Sequence, residues 1–588
     1  MPLRICVVSP FAWSQPHPVN EHVAAGAAEL RARGHDVVVL APSNRASDLA
    51  SGRRALRRLA RNREPLEGVV ALGPAIPFSR GSRVGVPVGV QANLALALSA
   101  ERFDVVHGHD PAVPSLSYLA LLNARSFTVA TFHASERLAY PPRRKQREKL
   151  LSRIDALTAT GDDVLEAARA RFPGDYHLLP LGVEAALFRP GPARRRFVLE
   201  WRPEEAQRLR VVLRALKALP DWEILVLRAR PLSGRPYIPL SLRARVHVRT
   251  AVDASARARE LVGAAAYVPA VDGSRRLRAE AGLAGVPVVE PPGARAQPEL
   301  VAAALARLAE DDDWRRERTE AARRSAERHT SRELGSELES LYCSLAGRRR
   351  APQPVEPLAD RPLVLCDLHV HTEHSHDCSV PVAELLDHAE EQGLDAVAIT
   401  DHNTFSGARE ALELARGRAL TVIPGEEIKT QTGEVIGLFL SEEIPRGLSL
   451  AETIARIRGQ GGLVYLPHPF DRLHTIPDAR TLHRHVGEID VLEVYNARLL
   501  FDAYNHEALR FARKYNLTMG AGSDAHVVQG VGTGLVRVPA FETPQELLLG
   551  LRSAEIVRRP KSLVYLQGLK WVAQARERRR LAAASSLP

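Results

Sequence analysis

Residues 367–379, DLHVHTEHSHDCS, pack four histidines and two aspartates into thirteen positions. Neither a solvated loop nor an apolar core asks for that density of imidazole beside carboxylate. His369 and His371 are two apart in an apolar run, so on a strand both rings leave the same face and can grip one cation. The rest of the chain supplies partners in the same way: Asp377 in the following loop, Asp401 and His402 after "AIT", Glu427 in "VIPGEE", His468 in "LPHP", and Asp524 and His526 in "GSDAH". Each follows a short apolar run, in a segment that alternates strand and helix. Polar residues at successive strand ends are the placement of a barrel whose active face is its C-terminal rim. Imidazole mixed with carboxylate suits manganese, iron or zinc, whereas calcium or magnesium draws an all-oxygen cage.

The chain ahead of this segment reads as two further α/β units. In residues 1–192, apolar β-branched runs such as "RICVVSP", "HDVVVLAPS", "FDVVHGHDP" and "FTVATFHAS" alternate with amphipathic helical stretches. That pattern predicts a parallel sheet covered on both faces, a doubly wound domain. Residues 193–346 repeat the alternation, and 347–362, with three consecutive arginines and four prolines, form a linker. The barrel segment runs over 363–565, and a basic helical tail over 566–588.

A formal charge of +11 comes almost wholly from arginines scattered through the 588 residues, which favours anionic ligands without marking a nucleic-acid arm. Four cysteines with no CxxC pair exclude a disulfide framework and a thiolate zinc site, and fit a reducing cytoplasm. The apolar run at the N terminus is too short for a signal-peptide core, and "VGVPVGVQANLALALSA" is interrupted by Pro87, Gln91 and Asn93, so no integral membrane segment is expected.

The motifs "DLHVH", "SHD", "TDH", "PGEE", "PHP" and "GSDAH" together resemble the polymerase-and-histidinol-phosphatase (PHP) family, over about 200 residues. The resemblance implies a distorted (β/α)7 barrel with two or three divalent ions that hydrolyses phosphoesters. It places one ion on His369, His371, Glu427 and Asp524, a second on Glu427 and His468, and a third on Asp377, His402 and His526. Where the family often has a histidine for the second ion, this chain has Glu434, which can ligate but changes charge and softness. Asp401 is expected to orient a ligand histidine through its other ring nitrogen. Arg472 and Arg498 are candidates to fork onto phosphate oxygens, and Asn496 is a third catalytic candidate.

The N-terminal segments "RICVVSPFAWSQPHPVNEHVAAGAAELRARGHDVVVLAPS", "HGHDPAVPSLSYLAL", "ATFHAS" and "LPLGVEAALFRPG" resemble GT-B glycosyltransferases of the family-4 type. The fold class expected of the chain is therefore α/β: two Rossmann-like domains in a GT-B arrangement, then the barrel. The family's donor motifs are eroded. His17 and Pro18 stand where a Gly-Gly pair lets the backbone approach donor phosphates, and proline also removes an N–H donor. Arg202 has no lysine beside it, Asp272 replaces the first of two donor glutamates, and Glu280 keeps the second. His109 and His133 remain at strand ends, where they can line a donor or acceptor cleft.

The expected function is metal-dependent hydrolysis of a small phosphate ester, a phosphomonoester, nucleotide or short oligonucleotide, by the barrel behind a degenerate glycosyltransferase-like module. Two alternatives stay open: a working nucleotide-sugar glycosyltransferase with an accessory phosphatase, and a nucleotide-sugar binding module that regulates the barrel.

Overall fold

The computed structural model of the chain describes residues 2–79, 82–85, 90–228, 236–270, 273–289, 298–350, 358, 360–471, 479–562, 564–566, 568–570 and 572. The chain divides into two compact units, Met1–Gly347 and Arg348–Pro588.

The first unit holds two parallel sheets. The larger runs, edge to edge, through Val69–Ala71, Asp36–Ala41, Arg4–Val8, Val105–His109, Phe127–Phe132, Ala156–Ala159 and Tyr176–Leu178. The strand order reverses between Arg4–Val8 and the central strand Val105–His109, as in doubly wound folds. The strands Asp36–Ala41 and Phe127–Phe132 are buried along nearly their whole length, so they read as near-continuous apolar runs. The smaller sheet repeats the pattern with Val246–Thr250, Glu223–Arg228, Arg196–Glu200 and Ala266–Val268. A two-stranded hairpin, Ala75–Ser79 with Ser82–Gly85, is an addition that the apolar pattern did not announce.

The last helix of this unit, Ser331–Ala346, packs on the first helix, Pro18–Ala32, and not on the smaller sheet that precedes it in sequence. Thr330 caps it, accepting a hydrogen bond from Glu333 N at 3.3 Å. Its apolar stripe buries Leu334, Leu338, Tyr342 and Leu345. Gly26 on the first helix lets Leu338 in, for a Cβ there would lie 2.9 Å from Leu338 Cδ1. Tyr342 adds a hydrogen bond of 2.6 Å to His107 Nδ1.

The second unit is a nine-stranded sheet that curls into a nearly closed barrel. From edge to edge it runs Thr518–Gly522, Val491–Asn496, Leu463–Leu466, Glu434–Leu438, Thr421–Lys429, Ala396–Ile399, Leu363–Val370, Gly534–Pro539 and Glu555–Arg558. The regular parallel alternation expected from sequence is broken: Glu434–Leu438 runs antiparallel to both neighbours, and Gly534–Pro539 runs antiparallel to Leu363–Val370. The turn from Lys429 to Glu434 is too short for the crossover that a parallel strand needs, so a hairpin results. Closure comes where Asp524 N donates to His369 O at 2.8 Å and His371 N to Ala525 O at 3.1 Å. Gly522 permits it, because a Cβ there would overlap the Cβ of His369. Among the described residues no helix is long and apolar enough to cross a membrane.

Candidate metal centre

Closing the sheet brings the histidines of residues 367–379 onto carboxylates from four other segments. His369 Nε2 lies 3.1 Å from His371 Nε2, and each is 3.3 Å from Glu427 Oε2. Asp524 Oδ1 is 3.4 Å from His371 Nε2 and 3.8 Å from His369 Nε2. All four side chains are nearly fully buried. Ligand bonds of about 2.0–2.2 Å set neighbouring donor atoms of one ion roughly 3–3.5 Å apart, the spacing seen here.

Electrostatics points the same way. Burial alone would keep the His369 ring neutral, but Asp524, Glu493 and Glu427 outweigh it and push its pKa well above the usual imidazole range. Burial would raise the Glu427 carboxyl, yet His369 and His402 hold it well below the usual carboxylate range. The converging carboxylates thus demand a cation, whether a proton or a metal. His402 and His526 are pushed down by burial to about 4 and about 3, which leaves neutral rings with ligand lone pairs.

The other candidates surround this quartet. His468 Nε2 is 3.0 Å from Glu427 Oε1 and 3.9 Å from Glu434 Oε2. His402 Nδ1 is 3.2 Å from Glu427 Oε2, and His402, Glu427 and Glu434 offer donor atoms within 4.8 Å of one another. His526 Nε2 is 2.9 Å from Asp377 Oδ2, while His402 Nε2 is 3.8 Å from Asp377 Oδ1, a buried oxygen that accepts no hydrogen bond. His371, His402 and His526 form a further group within 4.8 Å. The donor set fits a centre of more than one divalent ion, with Glu427 between subsites.

Surrounding residues fix these side chains. Asp401 accepts from Thr372 N at 2.7 Å and from the Ser375 hydroxyl at 2.7 Å, and Ser375 Oγ in turn meets His371 Nδ1 at 3.1 Å. Asp401 therefore acts on His371 through Ser375 and makes no direct contact with a ring. Glu493 was not singled out by sequence, yet its Oε1 lies 3.1 Å from His369 Nδ1, and its Oε2 accepts from His468 N at 2.7 Å. An acidic residue inside the apolar run "VLEVY" is the signal that marks it. Asp524 and His468 carry φ of 52° and 26°, a left-handed backbone that costs non-glycine residues energy. The hydrogen bonds of their own N–H groups, to His369 O and Glu493, hold them there.

The three catalytic candidates separate. Arg498 reaches the centre, with Nη1 3.2 Å from Asp524 Oδ1 and Nη2 3.9 Å from Asp377 Oδ2. Asn496 is buried and spends its amide on Glu493 at 3.0 Å and Asp524 at 3.2 Å, so it holds two carboxylates. Arg472 lies outside the described residues.

In the first unit, the donor-type residues are engaged with one another. Glu280 is fully buried, and Arg257 forks onto it with bonds of 2.6 and 2.7 Å while also reaching Glu21 at 2.7 Å. Arg276 joins at 3.3 Å from Glu280. Arg202 Nε stands 4.0 Å from Glu200, whose carboxylate accepts from Tyr267 Oη, Ala270 N and Ser274 N. His109 Nδ1 and His133 Nε2 are 2.9 Å apart, and with His22 they offer ring nitrogens within 4.8 Å. His17 caps the helix that Pro18 opens, accepting from Val19 N at 3.2 Å. Asp272 lies outside the described residues.

Comparison with known proteins matches residues 19–187 to Glycosyltransferase Family 4, residues 367–519 to the PHP domain and residues 502–556 to the PHP-associated family. The chain is 36% identical over 211 residues to an uncharacterized protein of Methanocaldococcus jannaschii, covering 34% of this chain and 84% of that one. It is 30% identical over 245 residues to phosphatidyl-myo-inositol mannosyltransferase of Mycolicibacterium smegmatis, covering 38% of this chain and 58% of that one. Among solved structures, a glycosyltransferase from Rickettsia africae aligns with a TM-score of 0.41 at 14% identity, over 58% of this chain and 98% of that one. The C-terminal part of the chain belongs to the PHP-domain family, and the part ahead of it carries a Glycosyltransferase Family 4 segment.

Proposed function

We propose that the C-terminal unit hydrolyses a small phosphate ester at a centre of two or three divalent ions, manganese, iron or zinc. The observation that carries this reading is the convergence of His369, His371, Glu427 and Asp524 at 3.1–3.8 Å in a buried pocket. Ions bound there supply water with a pKa lowered towards about 7 and neutralise charge on phosphoryl oxygens. The chain's own part is positioning. Glu493 and the Asp401–Ser375 pair fix the rings of His369 and His371, and Asn496 holds Glu493 and Asp524 in place. Arg498 points its guanidinium at the same carboxylates, where it can pair with a bound phosphate. No protein nucleophile is required, and the nearest thiol is unsuited: burial pushes Cys378 up to about 12, and its Sγ faces His371 O at 3.4 Å. Stripping the protein with a chelator should end phosphate release from a panel of phosphomonoesters and short oligonucleotides, and manganese should restore it. Release that survives complete metal removal would overturn the reading.

A second observation bears on the first unit. Glu280, the surviving donor-type glutamate, is saturated by Arg257 and Arg276, so we infer that the module neither binds nor transfers a nucleotide sugar. UDP- and GDP-sugars are expected to leave its melting temperature unchanged. A ligand at about 100 times its Kd would add about 2.7 kcal/mol, so a clear upward shift would contradict this.

A further inference from the structure

One side chain at the metal centre comes from the end of the chain, where sequence gave no reason to look. Lys570 Nζ donates to Asp377 Oδ2 at 2.9 Å, and its side chain is only 12% exposed. It lines a cavity of about 540 Å³ together with Val564 and Leu566 and with Arg498 and Leu500 of the loop after Val491–Asn496. Its lining includes the buried Asp524 and His526 with the cationic Arg498 and Lys570, and the apolar Leu500, Val564 and Leu566. Leu500 is 60% and Val564 85% exposed, although each is a large apolar side chain.

The lining therefore joins charge to apolar surface. Two cationic side chains stand beside the metal ligands, and an ammonium has three donors, more than Asp377 consumes. A terminal phosphate, carrying up to two negative charges, matches that pair. The lining also offers exposed apolar surface from two separate segments, Leu500 and Val564, as binding surfaces do. The volume lies within the range of small-molecule pockets, about 300–1,000 Å³. Resting on the phosphoesterase reading for the site, we propose that this cavity is the substrate subsite, that Lys570 and Arg498 grip the phosphate, and that the preferred substrate is a phosphomonoester with a compact aromatic leaving group. Sugar phosphates, whose leaving group is hydroxylated throughout, gain nothing from Leu500, Val564 and Leu566.

Binding of two inert probes tests this without turnover. Manganese-loaded full-length protein is titrated calorimetrically with phenylphosphonate and with methylphosphonate. Phenylphosphonate should bind at least about tenfold tighter, since burying a ring is worth more than about 1.4 kcal/mol. Lys570→Met should weaken both probes by about tenfold or more, with Lys570→Arg recovering most of the loss. Val564→Asp should weaken phenylphosphonate more than methylphosphonate. Equal affinity for the two probes, no binding of either, or unchanged binding in Lys570→Met would overturn the proposal. The phosphoesterase reading fails separately: selective probe binding with no ester hydrolysed sinks that reading and leaves the subsite standing, while hydrolysis with equal probe binding does the reverse.

Discussion

His369 shows what the surrounding residues contribute to the centre. Its Nε2 faces His371, Glu427 and Asp524, while its Nδ1 is held at 3.1 Å by Glu493, which also accepts from Tyr465 Oη at 3.0 Å. A carboxylate behind a ligand imidazole fixes the tautomer and sharpens its donor strength, and losing it typically costs about 10–100-fold in metal affinity. Glu493→Gln should therefore weaken manganese binding by about that factor in a competition titration, with the fold intact by circular dichroism. Affinity equal to that of the parent protein would remove Glu493 from the design. At this scale the convergence of His369, His371, Glu427 and Asp524 was legible, because histidine and carboxylate recur at successive strand ends. Glu493 was hidden inside an apolar run, and Asp401 acts on a ring only through Ser375, a relay that no spacing in sequence reveals.

At the scale of elements, two features were invisible in sequence for different reasons. The strand Glu434–Leu438 has the same apolar run as its neighbours, and direction is not encoded in such a run; the short turn before it decides. The helix Ser331–Ala346 follows the second doubly wound sheet in the chain, yet its partner is the first helix, more than 300 residues earlier, met through Leu334, Leu338 and Gly26. Periodicity gives a helix its apolar face but not the surface that covers it. Leu338 is 4% exposed, so Leu338→Ala should cost about 2–5 kcal/mol of unfolding free energy, read from urea denaturation of the first unit. A loss within about 0.5 kcal/mol would mean that the helix is docked only weakly.

For the molecule as a whole, the alternation of strands and helices gave two Rossmann-like sheets and a barrel, and the motifs gave the families. What lay beyond reach was the burial of charge. His22 and His107 are held by burial at about 3, and His109 and His133 are likewise pushed well below the usual imidazole range. In the unfolded chain such rings take up a proton near pH 6.5, which the folded state refuses. Their contribution to stability is thus complete above pH 6.5 and is lost as pH falls towards 3. Four of the five tryptophans precede residue 347, so urea unfolding followed by tryptophan fluorescence reports mainly on this unit. Its midpoint should fall steadily between pH 6.5 and 4, and a flat midpoint would contradict the burial argument. The central claim rests on the C-terminal unit and on one comparison: phosphate release by the manganese-loaded protein and by its His369→Ala/His371→Ala double variant. The account predicts release by the first and background by the second; release by the double variant at the parent rate would contradict it.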